Sequence, residues 1–261
     1  MTRQNYYKGR IKRKRQKVDE AFMLSLVQEE RKLQPKLGGR KLLYMLSDEL
    51  IKAGVCIGRD RFFAFLSKYS LLIERRLRYP RTTNSRHGFR VYENLLKDLV
   101  LTSPNQALVS DITYIRTDDG FMYLALIMDA YSRAIVGYDC SDSLEAEGTL
   151  RALSRALRQL PANSKTIHHS DRGSQYCSKA YIKKLKRKGL GISMTEYNHC
   201  YENSQAERLN GILKGEYGLG RRFLRKSDAI QAVSEAVKLY NYRRPHQSLN
   251  YRYPMEVHSA A

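Results

Sequence analysis

At residue 105 the spacing of apolar side chains changes, and this change limits the fold more than any other feature of the chain. Before it, apolar residues recur at three- and four-residue intervals, the period of an amphipathic helix. After it come ALVSDITYIR, FMYLALIMDAYS and AIVGYDCS, apolar or β-branched runs separated by tight turns such as TDDG. Three such runs in succession predict an antiparallel meander. EAEGTLRALSRALRQL has helical periodicity, and TIHHSD after it reads as a fourth strand, parallel to its neighbour because a helix intervenes. SKAYIKKLKRKGL is a helix and GISMTE a short fifth strand. NSQAERLNGILKGEYG and SDAIQAVSEAVKLYNYR are further helices. The order predicts an α/β fold over 105–261, with a mixed sheet flanked by helices.

Residues 1–73 read as all-α. A first helix spans 19–33, with Phe22, Leu26 and Leu33, and Met23 and Val27, at helical spacing. A second carries Leu42, Leu43, Leu46 and Leu50 on one face and stops at Gly54. After the turn VCIG a third turns Phe62, Phe63 and Leu66 inward. Arg59 and Arg61 open that helix, the arrangement of a helix-turn-helix DNA reader, although many small helical bundles share it. Residues 8–17, KGRIKRKRQK, hold seven basic side chains and read as a basic arm. Residues 74–104 are basic, polar and contain proline, and read as a linker in which NLLKDLV forms a short helix.

Charge narrows the partners. Lys and Arg number 47 against 26 acids, a net +21, and residues 1–104 alone hold 24 basic and 10 acidic residues. An excess of this size suits a polyanion. No apolar run approaches the roughly 18 residues of a membrane span, and the N-terminus lacks the apolar segment of a secretory signal. No long amphipathic helix offers a bulky apolar face to a bilayer, so a membrane partner is not expected. Cys56, Cys140, Cys177 and Cys200 show no metal-ligand spacing and read as reduced thiols.

The chemistry lies in three carboxylates. Asp111 sits inside the apolar run VSDITYI, where a lone aspartate is costly unless it is paired, hydrogen-bonded or on a metal. Asp171 ends the strand TIHHSD. Were those strands neighbours, both carboxylates would converge. Glu207, with 35 residues between it and Asp171, lies on a helix able to deliver a third. Gly211 and Lys214 share its helix face, which suits a phosphate. Phosphoryl transfer on DNA needs such a set, since two Mg2+ ions held by carboxylates shield the phosphodiester and activate the attacking oxygen.

DITYI at 111–115, HSDRGSQY at 169–176 and NSQAERLNGILK at 203–214 together resemble the D, D, thirty-five, E pattern of retroviral-integrase-like transposases. The resemblance is nearest to the OrfB proteins of IS-three-type bacterial insertion sequences. YNYRRPHQSLNYRYPMEV at 240–257 and the helices over 37–72 resemble the family's tail and its N-terminal helix-turn-helix segment. The resemblance implies an RNase H-like core and metal-dependent cutting and joining of DNA. Asp111, Asp171 and Glu207 match the metal ligands, with Mg2+ as cofactor and Mn2+ able to substitute. Lys214 matches the basic position beyond the glutamate. It also implies a homo-oligomer on DNA, an upstream-frame fusion partner and a bacterial cytoplasmic, nucleoid-associated location. Two departures stand out. Leu108 replaces a frequent tryptophan, which alters packing, and Glu202 in CYEN is a rival, less favoured third ligand, with only 30 residues between it and Asp171. A cut-only nuclease of the same core, or a silent DNA-binding protein, are the alternatives.

Other residues carry two readings. Arg172 and Ser174 either contact DNA or merely belong to the turn at Gly173. His168 and His169 either orient a water or phosphate or pack the strand. Tyr240, Tyr242, Arg243, Arg244 and His246 either grip nucleic acid or form a docked C-terminal segment. Asp129 reads as a turn cap with Ser132 and Arg133, and Asp139 and Asp142 as solvent-facing or helix-capping residues.

Overall fold

The computed structural model describes residues 2–73, 89–162, 164–196 and 203–260. The chain divides into two compact units, Met1–Arg76 and Leu77–Ala261.

The first unit is three helices: α1 (Arg3–Leu33), α2 (Gly39–Lys52) and α3 (Arg59–Lys68). The basic run expected as an arm is the first half of α1. The Thr2 hydroxyl caps this helix from Asn5 N (3.4 Å), and Lys, Arg and Gln are good helix formers. The buried stripe of α1 and its C-cap is Met23, Val27, Glu30 and Gln34, whereas Phe22 and Leu33, expected inward, are exposed. The stripe tolerates two polar residues because Gln34 Nε2 donates to Glu30 Oε1 (2.8 Å). Leu42, Leu46 and Leu50 of α2 meet Phe62, Phe65 and Leu66 of α3. Phe63 lies over Gly39 instead, where a Cβ would stand 3.0 Å from its ring. Glu20 ties α1 to α3, accepting from Lys68 Nζ (2.5 Å) and the Tyr69 hydroxyl (2.9 Å).

The second unit is built on a mixed sheet of β1 (Ala107–Thr117), β2 (Gly120–Asp129), β3 (Ile135–Ser141), β4 (Ile167–Ser170) and β5 (Gly191–Met194), in the order β3-β2-β1-β4-β5. β1, β2 and β3 form the expected antiparallel meander, with Gly120 at φ +105° closing the first turn. β4 is parallel to β1, and β5 to β4. A two-residue strand, β6 (Arg222–Phe223), adds to the far end of β1; two residues carry no period to read.

Side chains alternate across the sheet and feed two cores. On one face Val109, Ile115, Leu124 and Leu126 pack against α7 (Ser204–Glu216) and α8 (Lys226–Tyr242). On the other, Leu108, Ala125, Ile127 and Val136 pack against α4 (Ala146–Leu157), the short α5 (Ser174–Cys177) and α6 (Lys179–Arg187). Leu108, at the site of the family's frequent tryptophan, is wholly buried there. α4 lies so close to β3 that a Cβ on Gly137 would collide with the Ala152 carbonyl oxygen and stand 3.0 Å from Ala156 Cβ. That approach also corrects the reading of Asp139. It is buried, because Arg151 (2.8 Å) and Arg155 (3.3 Å) reach back from α4 to pair with it. Asp142 stays exposed.

Residues 74–88 of the expected linker lie outside the described residues. Residues 93–95 meet the β5 edge, with Met194 N donating to the Glu93 carbonyl (3.3 Å), Leu95 N to Ser193 Oγ (2.8 Å) and Asn94 N to Glu196 Oε1 (3.1 Å). NLLKDLV is a turn at 95–98, not a helix, since Leu95 N bonds to Ser193 of β5 and Leu96 N to the Asn94 side chain (3.0 Å) rather than to helical carbonyls. At the C-terminus, a 3-10 turn (Gln247–Leu249) precedes α9 (Pro254–Ser259). Arg244 clasps Glu216 at the end of α7 with two bonds of 2.7 and 2.8 Å.

Two substitutions test this packing by chemical denaturation. Gly137→Ala should lower unfolding free energy by about 1–3 kcal/mol, the cost of overpacking a tight contact; unchanged stability would show that α4 can move away freely. Arg244→Ala should cost ~3–5 kcal/mol, since it leaves a carboxylate without its buried partner.

Candidate active site

Asp111 and Asp171 come together because of strand register. β1 and β4 are parallel, with Ser110 opposite Ser170; one residue further, Asp111 lies beside Asp171. Parity places Asp111 on the face packed by α7, the same side as Val109. Ile112 N donates to Asp111 Oδ1 (2.9 Å), and Gly173 N to Asp171 Oδ1 (3.0 Å). Gly173 also lacks room for a side chain, since a Cβ there would stand 3.0 Å from that same carboxylate oxygen.

Burial first, and then the charge of Asp171, push the Asp111 carboxyl up to about 7; Glu207 adds to the rise, while the bonds from Ile112 and Asn210 oppose it. Glu207, in the first turn of α7, is thus near enough for its charge to act on Asp111, and it is exposed. Among the described residues no three His, Cys, Asp or Glu side chains lie close enough to hold a metal ion. The donor chemistry nonetheless fits a divalent cation. Two carboxylates forced together raise each other's proton affinity, and a cation between them removes the repulsion. Glu202 lies outside the described residues.

Two asparagines that the sequence reading missed fasten α7 to this strand. Asn203 starts the helix, and its Nδ2 donates to the Ser110 carbonyl (3.1 Å). Asn210, two turns on, donates from Nδ2 to Asp111 Oδ2 (2.7 Å). Both are buried, and each leaves an Oδ1 without a partner among the described residues. The available signal was their place in the buried stripe of Ala206, Leu209 and Leu213; polar residues at core positions need a reason. Tyr176 is a third such group. Its hydroxyl is buried with no partner among the described residues, and burial, then Tyr181, then Asp111 and Asp171 hold it protonated.

The basic residues separate into groups. Lys214 is half-buried near Asp111, whose charge partly offsets the lowering of its ammonium pKa by burial. Cβ space at Gly211 is open. Arg172 instead braces two strand ends, with Nε donating to the Thr195 carbonyl (2.6 Å). Arg59, paired with Asp60, and Arg61 lie exposed on α3 of the first unit. Arg243 is exposed. Arg244 does not fit the nucleic-acid reading, because it is buried against Glu216 and His246. Tyr240 and His246 are buried as well, their rings 5.1 Å apart, so this part of the tail is a docked segment.

His168 points to the opposite face, where its Nε2 lies 2.7 Å from Ser110 Oγ and 2.9 Å from the Tyr181 hydroxyl, and burial holds its pKa down to about 3. His169 is buried with Nδ1 2.8 Å from Ser193 Oγ. Both histidines pack the strand. Asp129 caps its turn as expected, accepting from Ser132 N (2.7 Å) and Ser132 Oγ (2.8 Å).

Comparison with known proteins agrees with this architecture. Residues 102–200 and 188–254 each match a family described as Integrase core domain. A Shigella sonnei protein, "Insertion element IS600 uncharacterized 31 kDa protein", is 35% identical over 237 residues, covering 90% of this chain and 86% of that one. "Transposase InsF for insertion sequence IS3A" of Escherichia coli (strain K12) is 36% identical over 205 residues, covering 77% and 70%. The simian T-cell lymphotropic virus intasome, solved in complex with PP2A regulatory subunit B56 gamma, shares the fold at 15% identity and a TM-score of 0.51, covering 85% of this chain and 70% of that one. The chain belongs to the IS3-type insertion-sequence transposases, DDE-type polynucleotidyl transferases of the retroviral-integrase-like superfamily.

Proposed function

We propose that this chain cuts and joins the ends of an insertion sequence at a divalent-metal site held by Asp111, Asp171 and Glu207. The observation that carries the reading is the in-register pairing of β1 and β4, which sets two carboxylates side by side, with the charge of Glu207 acting on Asp111. Bound Mg2+, or Mn2+ in its place, would shield the phosphodiester and activate water or a 3′-hydroxyl. The chain's own groups do the positioning. Asn210 orients Asp111, Gly173 N orients Asp171, and Lys214 offers a cation beside the carboxylates to a phosphate oxygen.

In this reading residues 1–73 bind the element ends, with Arg59 and Arg61 on α3 toward DNA. Residues 74–104 connect them to a catalytic region over 105–261. Two ends must meet, so the active form is a homo-oligomer on DNA, and the chain acts with an upstream-frame fusion partner near the bacterial nucleoid. Among the described residues no helix is long and apolar enough to cross a membrane.

Glu207→Gln tests the assignment. In a strand-transfer assay with terminal-repeat DNA and Mg2+, wild type nicks and joins, while the variant binds DNA but loses at least about a hundredfold in both steps. Full activity in the variant would remove Glu207 from the ligand set. Nicking without joining by wild type would favour a nuclease.

The raised Asp111 carboxyl makes a second test. Its folded pKa, about 7, lies above the ordinary 3.8, so the native state binds the extra proton between these values. Metal-free protein should therefore lose stability as pH rises from about 4 to 7. Asp111→Asn should flatten that part of the melting-temperature profile, and Mg2+ should stabilise wild type more above pH 7 than below pH 5. An identical slope in Asp111→Asn would place the titration elsewhere.

A further inference from the structure

Helix α6 carries cations along its whole length: Lys186 and Arg187 suit the dipole of its last turn, but Lys179 and Lys183 do not. Between Asp171 and Glu196 the sequence has no acid but seven basic residues. Tyr181 and Leu185 fasten α6 to the core, and Lys184 is occupied by Ser154 Oγ and the Leu150 carbonyl. Lys179, Lys183, Lys186 and Arg187 remain exposed, at i, i+4, i+7 and i+8 on one helix face. Among the described residues none of the four has an ion pair. Lys179–Lys183 and Lys183–Arg187 are like-charge pairs at i,i+4, which destabilise a helix. Lys179 stands at the first position, where the macrodipole opposes a cation. Folding accounts for Lys186 and Arg187 at the C-terminal end but not for Lys179 and Lys183, whereas an anionic partner would account for the whole stripe.

Topology gives the stripe its direction. α6 joins β4 to β5, which are parallel, so it must start at the edge of the sheet where Asp171 lies and run back along the body. Nine residues at 1.5 Å each make a line of about 13 Å, long enough to meet several successive phosphates of one strand. We infer that the α6 stripe is a track for the DNA backbone leading away from the carboxylates, on the sheet face opposite α7. The inference rests on the transposase reading and adds to it where the flanking duplex lies.

The test is the salt dependence of DNA binding by the full chain. Affinity for a labelled duplex carrying the element's terminal repeat is measured by anisotropy from about 50 to 200 mM salt. The variant Lys179→Gln, Lys183→Gln, Lys186→Gln, Arg187→Gln should lower the slope of log K against log salt by about 3 to 4. A control replacing the exposed Arg158, Lys165 and Lys238 by Gln should lower it by less than about 1. Lys183→Gln alone, expected to lower it by about 1, serves if the fourfold variant does not fold. An unchanged slope, or an equal drop per residue in the control, overturns the track. Strand transfer by wild type with an unchanged slope sinks only this inference. A lowered slope without any strand transfer would leave the track and overturn the proposed cutting and joining by this chain.

Discussion

Parallel pairing of β1 with β4 is the constraint on which the rest of the site depends. It sets Asp111 beside Asp171 and so places two like charges in a partly buried setting, an arrangement that opposes folding unless a proton or a cation intervenes. Neighbouring groups are organised around that conflict. Ile112 N, Gly173 N and Asn210 each donate to one of the two carboxylates, and none is itself charged. The site is therefore shaped around two carboxylates that repel one another, a repulsion that a divalent cation would relieve.

The remainder of the second unit fixes α7 against this pair. Asn203 and Asn210 hold the helix to consecutive residues of β1, Ser110 and Asp111. At the other end of the helix, Glu216 is clasped by Arg244 from the tail. Glu207 sits between these fastenings, on a helix that cannot slide along the strand without breaking buried bonds. Its side chain is exposed, on a helix whose position along β1 is fixed. This combination suits a ligand that must reach a metal and also admit a substrate phosphate.

Much of this was legible in the sequence, for physical reasons that can be named. Asp111 stood out because a charge inside an apolar strand needs an explanation, and Asp171 and Glu207 followed from motif and spacing. The meander showed in its period. What stayed hidden depended on partners distant in sequence. Asp139 looked like a solvent-facing residue because Arg151 and Arg155 reach it only after α4 has folded over Gly137. Arg244 looked like a DNA contact because Glu216 is 28 residues away. The inward face of α1 was misread because Glu30 and Gln34 satisfy each other in the core, an event that hydrophobic periodicity does not register. The asparagines of α7 fall in the same class, since polar residues in a buried stripe look like errors until their partners are known.

A net charge of +21 around a carboxylate centre has its own logic. On the proposed reading, Asp111, Asp171 and Glu207 would repel the DNA brought to them, and at physiological salt that repulsion reaches about 8 Å. Distant cations can steer a duplex toward the protein but cannot offset repulsion over that short range. Compensation must come from cations at the same edge of the sheet. Lys214 meets this condition, because the Asp111 charge acts on its ammonium group. The α6 stripe starts at that edge too, following Asp171 through the turn at Gly173. The basic excess is thus divided by range: a diffuse part raises the encounter rate, and a local part lets a polyanion settle beside three acids.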